Sequence, residues 1–84
     1  MTTLPSVIRA EYRGGYLIRL TFHDNQQKTI DFGAWLEGPV FEPLKNPEYF
    51  SRFFLDGGTV VWPNGADIAP ETLYAREGVS EEAA

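Results

Sequence analysis

The sequence predicts an α+β domain: a mostly antiparallel sheet of about five strands, built as a meander plus a C-terminal hairpin, with two short helices. Three observations predict it. Tyr16 to Phe22 alternates with the period of a strand, Tyr16, Ile18, Leu20 and Phe22 on one side and Leu17, Arg19 and Thr21 on the other. Gly14-Gly15 and Asp56-Gly57-Gly58 stand between such runs, and supply the positive φ that tight hairpin turns require. Asn46-Pro47-Glu48 and Pro70-Glu71 carry helix-start chemistry, with proline suited to the first helical position and a carboxylate to the positive end of the helix dipole.

The elements follow in order. Val7 to Tyr12 is a short apolar run interrupted by Arg9 and Glu11, and Arg13-Gly14-Gly15 turns it into the Tyr16–Phe22 strand. His23-Asp24-Asn25-Gln26 is a polar turn, after which Lys28, Ile30 and Phe32 alternate against Thr29 and Asp31. Between Gly33 and Gly38-Pro39 there is room for one or two helical turns, and Val40 to Leu44 reads as an extended segment around Pro43. A helix over Pro47 to Ser51 precedes a hairpin of Arg52 to Leu55 and Thr59 to Trp62. Pro63-Asn64-Gly65 is a turn cluster, and Pro70 to Arg76 reads as a closing helix with Gly78 as its terminator. Residues 1–78 are expected to form one domain, and 79–84 a flexible acidic tail.

Composition narrows the chemistry. The chain has 84 residues, 12 aromatic side chains (2 Trp, 4 Tyr, 6 Phe), no cysteine and one histidine, so disulfides and thiolate metal sites are excluded and aromatic packing must carry the core. Seven basic residues against 12 acidic ones give a net charge of −5, with the basic residues scattered. That balance works against direct nucleic-acid binding. No apolar run approaches the roughly 18 residues of a membrane span. The Met-Thr-Thr-Leu-Pro start lacks the basic and apolar regions of a signal peptide, so a cytoplasmic location is expected.

No constellation for catalysis emerges. His23 lies in a polar turn beside Asp24 and reads as a solvated turn residue rather than a base. The glycine pairs lack the strand-to-helix context of a phosphate loop, and no cofactor is expected. Asp67 and Glu71 straddle Pro70; they suit backbone capping and the helix dipole better than acid–base or metal chemistry, which would need a cleft and further oxygens. Trp62 before Pro63 reads as a core anchor in preference to a ligand platform, and a cis Trp62–Pro63 bond is an option that proline alone makes affordable. Trp35, Tyr49, Phe50, Phe53 and Phe54 form an aromatic group. Consecutive Phe53 and Phe54 on one strand must face opposite ways, so either both faces of the sheet are covered or one phenylalanine marks an interface. Trp35, Tyr49, Phe53 and Phe54 are the candidate interface residues.

The stretch Trp62-Pro63-Asn64-Gly65-Ala66-Asp67-Ile68-Ala69-Pro70-Glu71-Thr72-Leu73-Tyr74 resembles the bacterial family catalogued as domain of unknown function 2442. The resemblance extends through Ala10, Tyr16-Leu17-Ile18, Phe32, Gly38-Pro39-Val40-Phe41-Glu42-Pro43-Leu44, Phe50 and Thr59-Val60-Val61. One departure is Asp24-Asn25, where members often carry Asp-Gly; asparagine tolerates the same backbone. The resemblance implies a small α+β domain, often encoded beside another small protein in a toxin–antitoxin-like pair. It also implies a family motif of Trp62, Pro63, Asn64, Gly65, Asp67, Pro70, Glu71, Leu73 and Tyr74, which the residues themselves suggest is structural. Some relatives carry a label for molybdopterin guanine dinucleotide synthesis, but nothing in this chain supplies the phosphate loop that such a reaction needs. The expected function is therefore non-enzymatic binding of another protein, a neighbouring-gene product being the natural partner. A small-ligand or metal-dependent activity around Trp62, Asp67 and Glu71, or a homodimer formed by edge strands, are the alternatives.

Overall fold

A computed structural model describes residues 5–79. Strands β1 (Val7–Tyr12), β2 (Leu17–Phe22) and β3 (Gln27–Asp31) form an antiparallel meander in the order β1-β2-β3, and β4 (Phe54–Asp56) pairs with β5 (Thr59–Val61) in a second sheet. The strands expected in one sheet thus divide into sheets of three and two. The reason lies in how the hairpin meets the meander. Its turn, rather than an edge, reaches β1: the Val7 N–H donates to the Gly58 carbonyl at 2.8 Å. Gly58 has φ +80°, and an added Cβ would stand 3.0 Å from Ser6 Cβ, so both the turn and the approach of the two sheets favour glycine there.

Turn chemistry was legible where it is local. Gly14 and Gly15 both have positive φ, and Asn25, at φ 69°, adopts the left-handed conformation expected of it. The β1–β2 register then shifts, with Val7 opposite Phe22 but Arg9 opposite Thr21. Ile8 is the inserted residue of this bulge. It lets Val7 and Ala10, three positions apart, both pack on the core, and it leaves Ile8 itself 56% exposed.

The core is centred on β2. Ile18, Leu20 and Phe22 are fully buried, joined by Ile30, Phe32, Leu44, Phe50, Val60, Trp62 and Leu73. Three segments around this core differ from expectation. Val40 to Leu44 is not extended; the Gly38 carbonyl accepts the Phe41 and Glu42 N–H groups, and a 3₁₀ turn over Glu42–Lys45 follows. Pro43 lies in its first turn, where its fixed φ and missing N–H suit a helical start as well as a strand. Helix α1 (Pro47–Phe50) is capped by Asn46 as predicted, Oδ1 accepting the Glu48 N–H at 3.0 Å. Arg52 still belongs to this helix end, its N–H donating to the Tyr49 carbonyl, so the strand begins at Phe54 instead of Arg52.

Helix α2 (Pro70–Ala75) starts at the expected proline, but Gly78 does not end it. Arg76 already leaves the helix with ψ 135°, and the Lys28 ammonium donates to the carbonyls of Tyr74 and Arg76. Lys28 occupies an inward position on β3 opposite Leu20, and its side chain crosses the rings of Phe22 and Tyr74 to reach the helix end. The chain then passes along β3. Gly78 lies where a Cβ would stand 3.1 Å from Lys28 Cβ, and the Val79 N–H donates to Thr29 at 2.7 Å. Val79, expected in the tail, is therefore held at the sheet; the rest of the tail lies outside the described residues. No helix among the described residues is long and apolar enough to cross a membrane.

Candidate functional site

Trp62 to Tyr74 holds the functional candidates Trp62, Asp67 and Glu71, and of these only Trp62 is buried in the core. The Trp62 indole is fully buried and meets Phe32, Phe50 and Phe53 at ring-centre distances of 5.9, 5.6 and 6.5 Å. Its Nε1–H donates to the Phe50 carbonyl at 2.7 Å, so the one polar atom of the ring is satisfied inside the core. The anchor reading holds. Every peptide bond among the described residues is trans, Trp62–Pro63 included.

Pro63 and Asn64 carry the chain outward and Gly65, at φ +89°, turns it back. Trp62 and Ala66 close the loop through the Trp62 N–H and the Ala66 carbonyl, 2.9 Å apart. Asn64 organises this turn, a task expected of Asp67. Its Oδ1 accepts the Ala66 N–H at 3.0 Å, and its Nδ2 donates to the Val40 carbonyl at 2.8 Å, tying the turn to the Gly38–Leu44 segment. Asparagine offers both a donor and an acceptor here, whereas aspartate offers only acceptors. Asn64→Asp is therefore expected to keep the turn and lose the tie, costing about 1–2 kcal/mol in urea unfolding, with Asn64→Ala costing more.

At the far end of the motif Leu73 is buried, and the Tyr74 hydroxyl donates to Asp24 at 2.6 Å while its ring packs edge-on against Phe22 at 5.0 Å. His23, expected as a solvated turn residue, also ties the chain together. Its Nδ1 accepts the Ser6 N–H at 3.2 Å, its own N–H donates to the Ser6 carbonyl, and its ring stacks on Tyr74. The Tyr74 hydrogen bond and then the Gln26 N–H hold the Asp24 carboxyl below its ordinary value of 3.8; the same Asp24 bond pushes the Tyr74 phenol above 10.0. The two shifts bound a stability window. A lowered carboxyl contributes stability above pH 3.8 that is lost as pH falls through the folded value, and a raised phenol contributes below pH 10.0 and is lost as pH rises through its folded value. Unfolding of wild type and Tyr74→Phe across pH should show a wild-type advantage at neutral pH that shrinks at both extremes.

The carboxylates of the motif converge on nothing. Asp67 is exposed and paired through its backbone with Val61, and Glu71 is exposed in the first turn of α2. Among the described residues no group of three or more His, Asp or Glu side chains is placed to hold a metal ion. The surface depressions are open. One is lined by Arg19, Gln27, Lys28, Thr29, Gly78 and Val79, another by Tyr16, Gly33, Leu36, Glu37 and Lys45.

Of the four aromatics expected at an interface, Trp35, Tyr49 and Phe53 pack partly buried against the core. Trp35 meets Phe32 edge-on and carries the Arg76 guanidinium over its ring. Phe54 is the one that turns outward, at 47% exposure, and Ile8 and Leu55 are exposed with it. β4, which carries Phe54 and Leu55, packs near β1, which carries Ile8. Ile8 and Leu55 were missed; the adjacent apolar pair Val7-Ile8, which no plain alternation accommodates, was the signal for the first.

No curated protein and no solved structure matches this chain. A family model does, over residues 7–78, which takes in the strands and α-helices of the described residues and the whole Trp62–Tyr74 motif. The chain belongs to the family described as protein of unknown function DUF2442.

Proposed function

We propose that this domain is a non-enzymatic, cytoplasmic protein-interaction module, the binding half of a bacterial two-gene system of the toxin–antitoxin or adaptor kind. The observation that carries the reading is the contrast between two sets of residues. Trp62 and Leu73 of the distinctive motif are spent on packing, while Phe54, Leu55 and Ile8 leave apolar surface in water that folding does not require. Large side chains so placed gain by being covered. The two-gene context comes from the family resemblance, and the geometry supports only the binding role.

The test is co-expression with the neighbouring-gene product and purification through a tag on this chain. The reading expects a stoichiometric complex with wild type and loss of that complex with Phe54→Ser, at an unchanged melting temperature. Absence of a complex with wild type, together with catalytic turnover by the chain alone, would replace this reading with an enzymatic one.

A further inference from the structure

The register of the hairpin puts four particular residues on one face. Phe54 pairs with Val61, and Val61 bridges Asp67, so these three side chains form one row across the sheet. Asp56 follows Phe54 by two positions along β4 and projects from the same face. The result is an exposed phenyl ring beside a half-buried valine, with an exposed carboxylate in the next row and another at the end of its own. Neither Asp56 nor Asp67 has an ion pair among the described residues.

Five of the seven cations have partners away from this face, while Arg9 stands beside Ile8 and Arg52 two residues before Phe54. Lys45 pairs with Glu42, Arg13 and Arg19 approach Glu11, Lys28 caps α2, and Arg76 lies over Trp35. The face around Phe54 thus presents an apolar centre with the unpaired carboxylates of Asp56 and Asp67 beside it, on a chain of net charge −5. A second copy would be a poor occupant. A two-fold contact through this patch sets it against itself, which brings the same carboxylates of two acidic chains together.

We propose that this face docks a cationic segment of another protein, an apolar side chain of the partner covering Phe54 and Val61 while flanking Lys or Arg side chains meet Asp56 and Asp67. The proposal rests on the interaction-module reading and adds the partner's chemistry to it. Apolar contact at the centre supplies affinity, and the marginal charges supply selection by sign and an on-rate that falls with salt.

The test pans the full chain, immobilised through a tag, against a random peptide library displayed on phage, then measures the enriched peptides by titration. The expected winners carry Lys or Arg on both sides of an aliphatic or aromatic residue. Their affinity should fall about tenfold in the Asp56→Asn/Asp67→Asn double variant and disappear in Phe54→Ser. The Asn substitutions preserve side-chain shape and turn chemistry, and unchanged melting temperatures confirm the fold. Enriched peptides without basic residues, or basic ones that bind Phe54→Ser as well as wild type, would overturn the proposal and leave the interaction module standing. No enrichment at all would overturn both. A wild-type dimer in sedimentation that Phe54→Ser dissociates would overturn it too, by making the occupant a second copy.

Discussion

Trp62→Ala is expected to cost about 3–5 kcal/mol, the usual range for removing a fully buried large aromatic. The substitution empties the meeting point of Phe32, Phe50 and Phe53, rings contributed by the segment after β3, by α1 and by the residue before β4. It also strips the Phe50 carbonyl of its indole donor inside the core, an unsatisfied acceptor that adds to the cavity. Domains hold about 5–15 kcal/mol in total, and one this small sits toward the low end. The variant should therefore be substantially unfolded at 37 °C, with its cooperative thermal transition lost or lowered by well over 10 °C. Circular dichroism melting reads this directly. A ligand-platform role for Trp62 predicts the reverse, an unchanged melt.

Leu73→Ala should follow, at about 2–5 kcal/mol for truncating a buried leucine. Its effect is local in origin. Helix α2 spans only Pro70–Ala75, too short to be stable without its contacts. Leu73 is its one buried residue; the Tyr74 ring against Phe22 and His23, Tyr74 to Asp24, and Lys28 to the terminal carbonyls are more exposed ties. Amide hydrogen exchange should show the α2 amides losing protection before those of β2. If α2 keeps its protection in Leu73→Ala, the exposed ties are stronger than their geometry indicates.

What the sequence revealed depended on how local the determining physics is. The β2 alternation and the two glycine-rich hairpin turns were readable because period and turn chemistry act within a few residues. The division into two sheets was not, because it depends on Val7 meeting Gly58, a contact between distant parts of the chain. Val40 to Leu44 was misread because Pro43 fits an extended segment and the first turn of a 3₁₀ helix equally well. The role of Lys28 was hidden for a related reason. Its place in the alternation put it inward beside Ile30, but the helix end that accepts its ammonium lies more than forty residues later.

The candidate site was half legible. Alternation required Phe53 and Phe54 to diverge, and they do, but which of them faces water is set by the end of α1. Because Arg52 stays bonded to Tyr49, the strand starts one residue after Phe53, which swings Phe53 against Trp62 and Phe54 outward. Trp35 and Tyr49 looked like surface aromatics only because their covering comes from other segments. Within the motif, Trp62 is buried as a core anchor, while the backbone N–H that Asp67 suits is accepted by Asn64, which also ties the turn to Val40.

Trp62 builds the fold, whereas Phe54 stands on an outward hairpin face that the fold does not need. Paired urea unfolding of Trp62→Phe and Phe54→Ala tests that contrast most directly. Trp62→Phe keeps a ring but loses the indole donor and some volume, and should lower stability by about 1–3 kcal/mol. Phe54→Ala removes an exposed ring and should stay within about 0.5 kcal/mol of wild type. The opposite order, with Phe54→Ala strongly destabilising and Trp62→Phe neutral, would contradict the account.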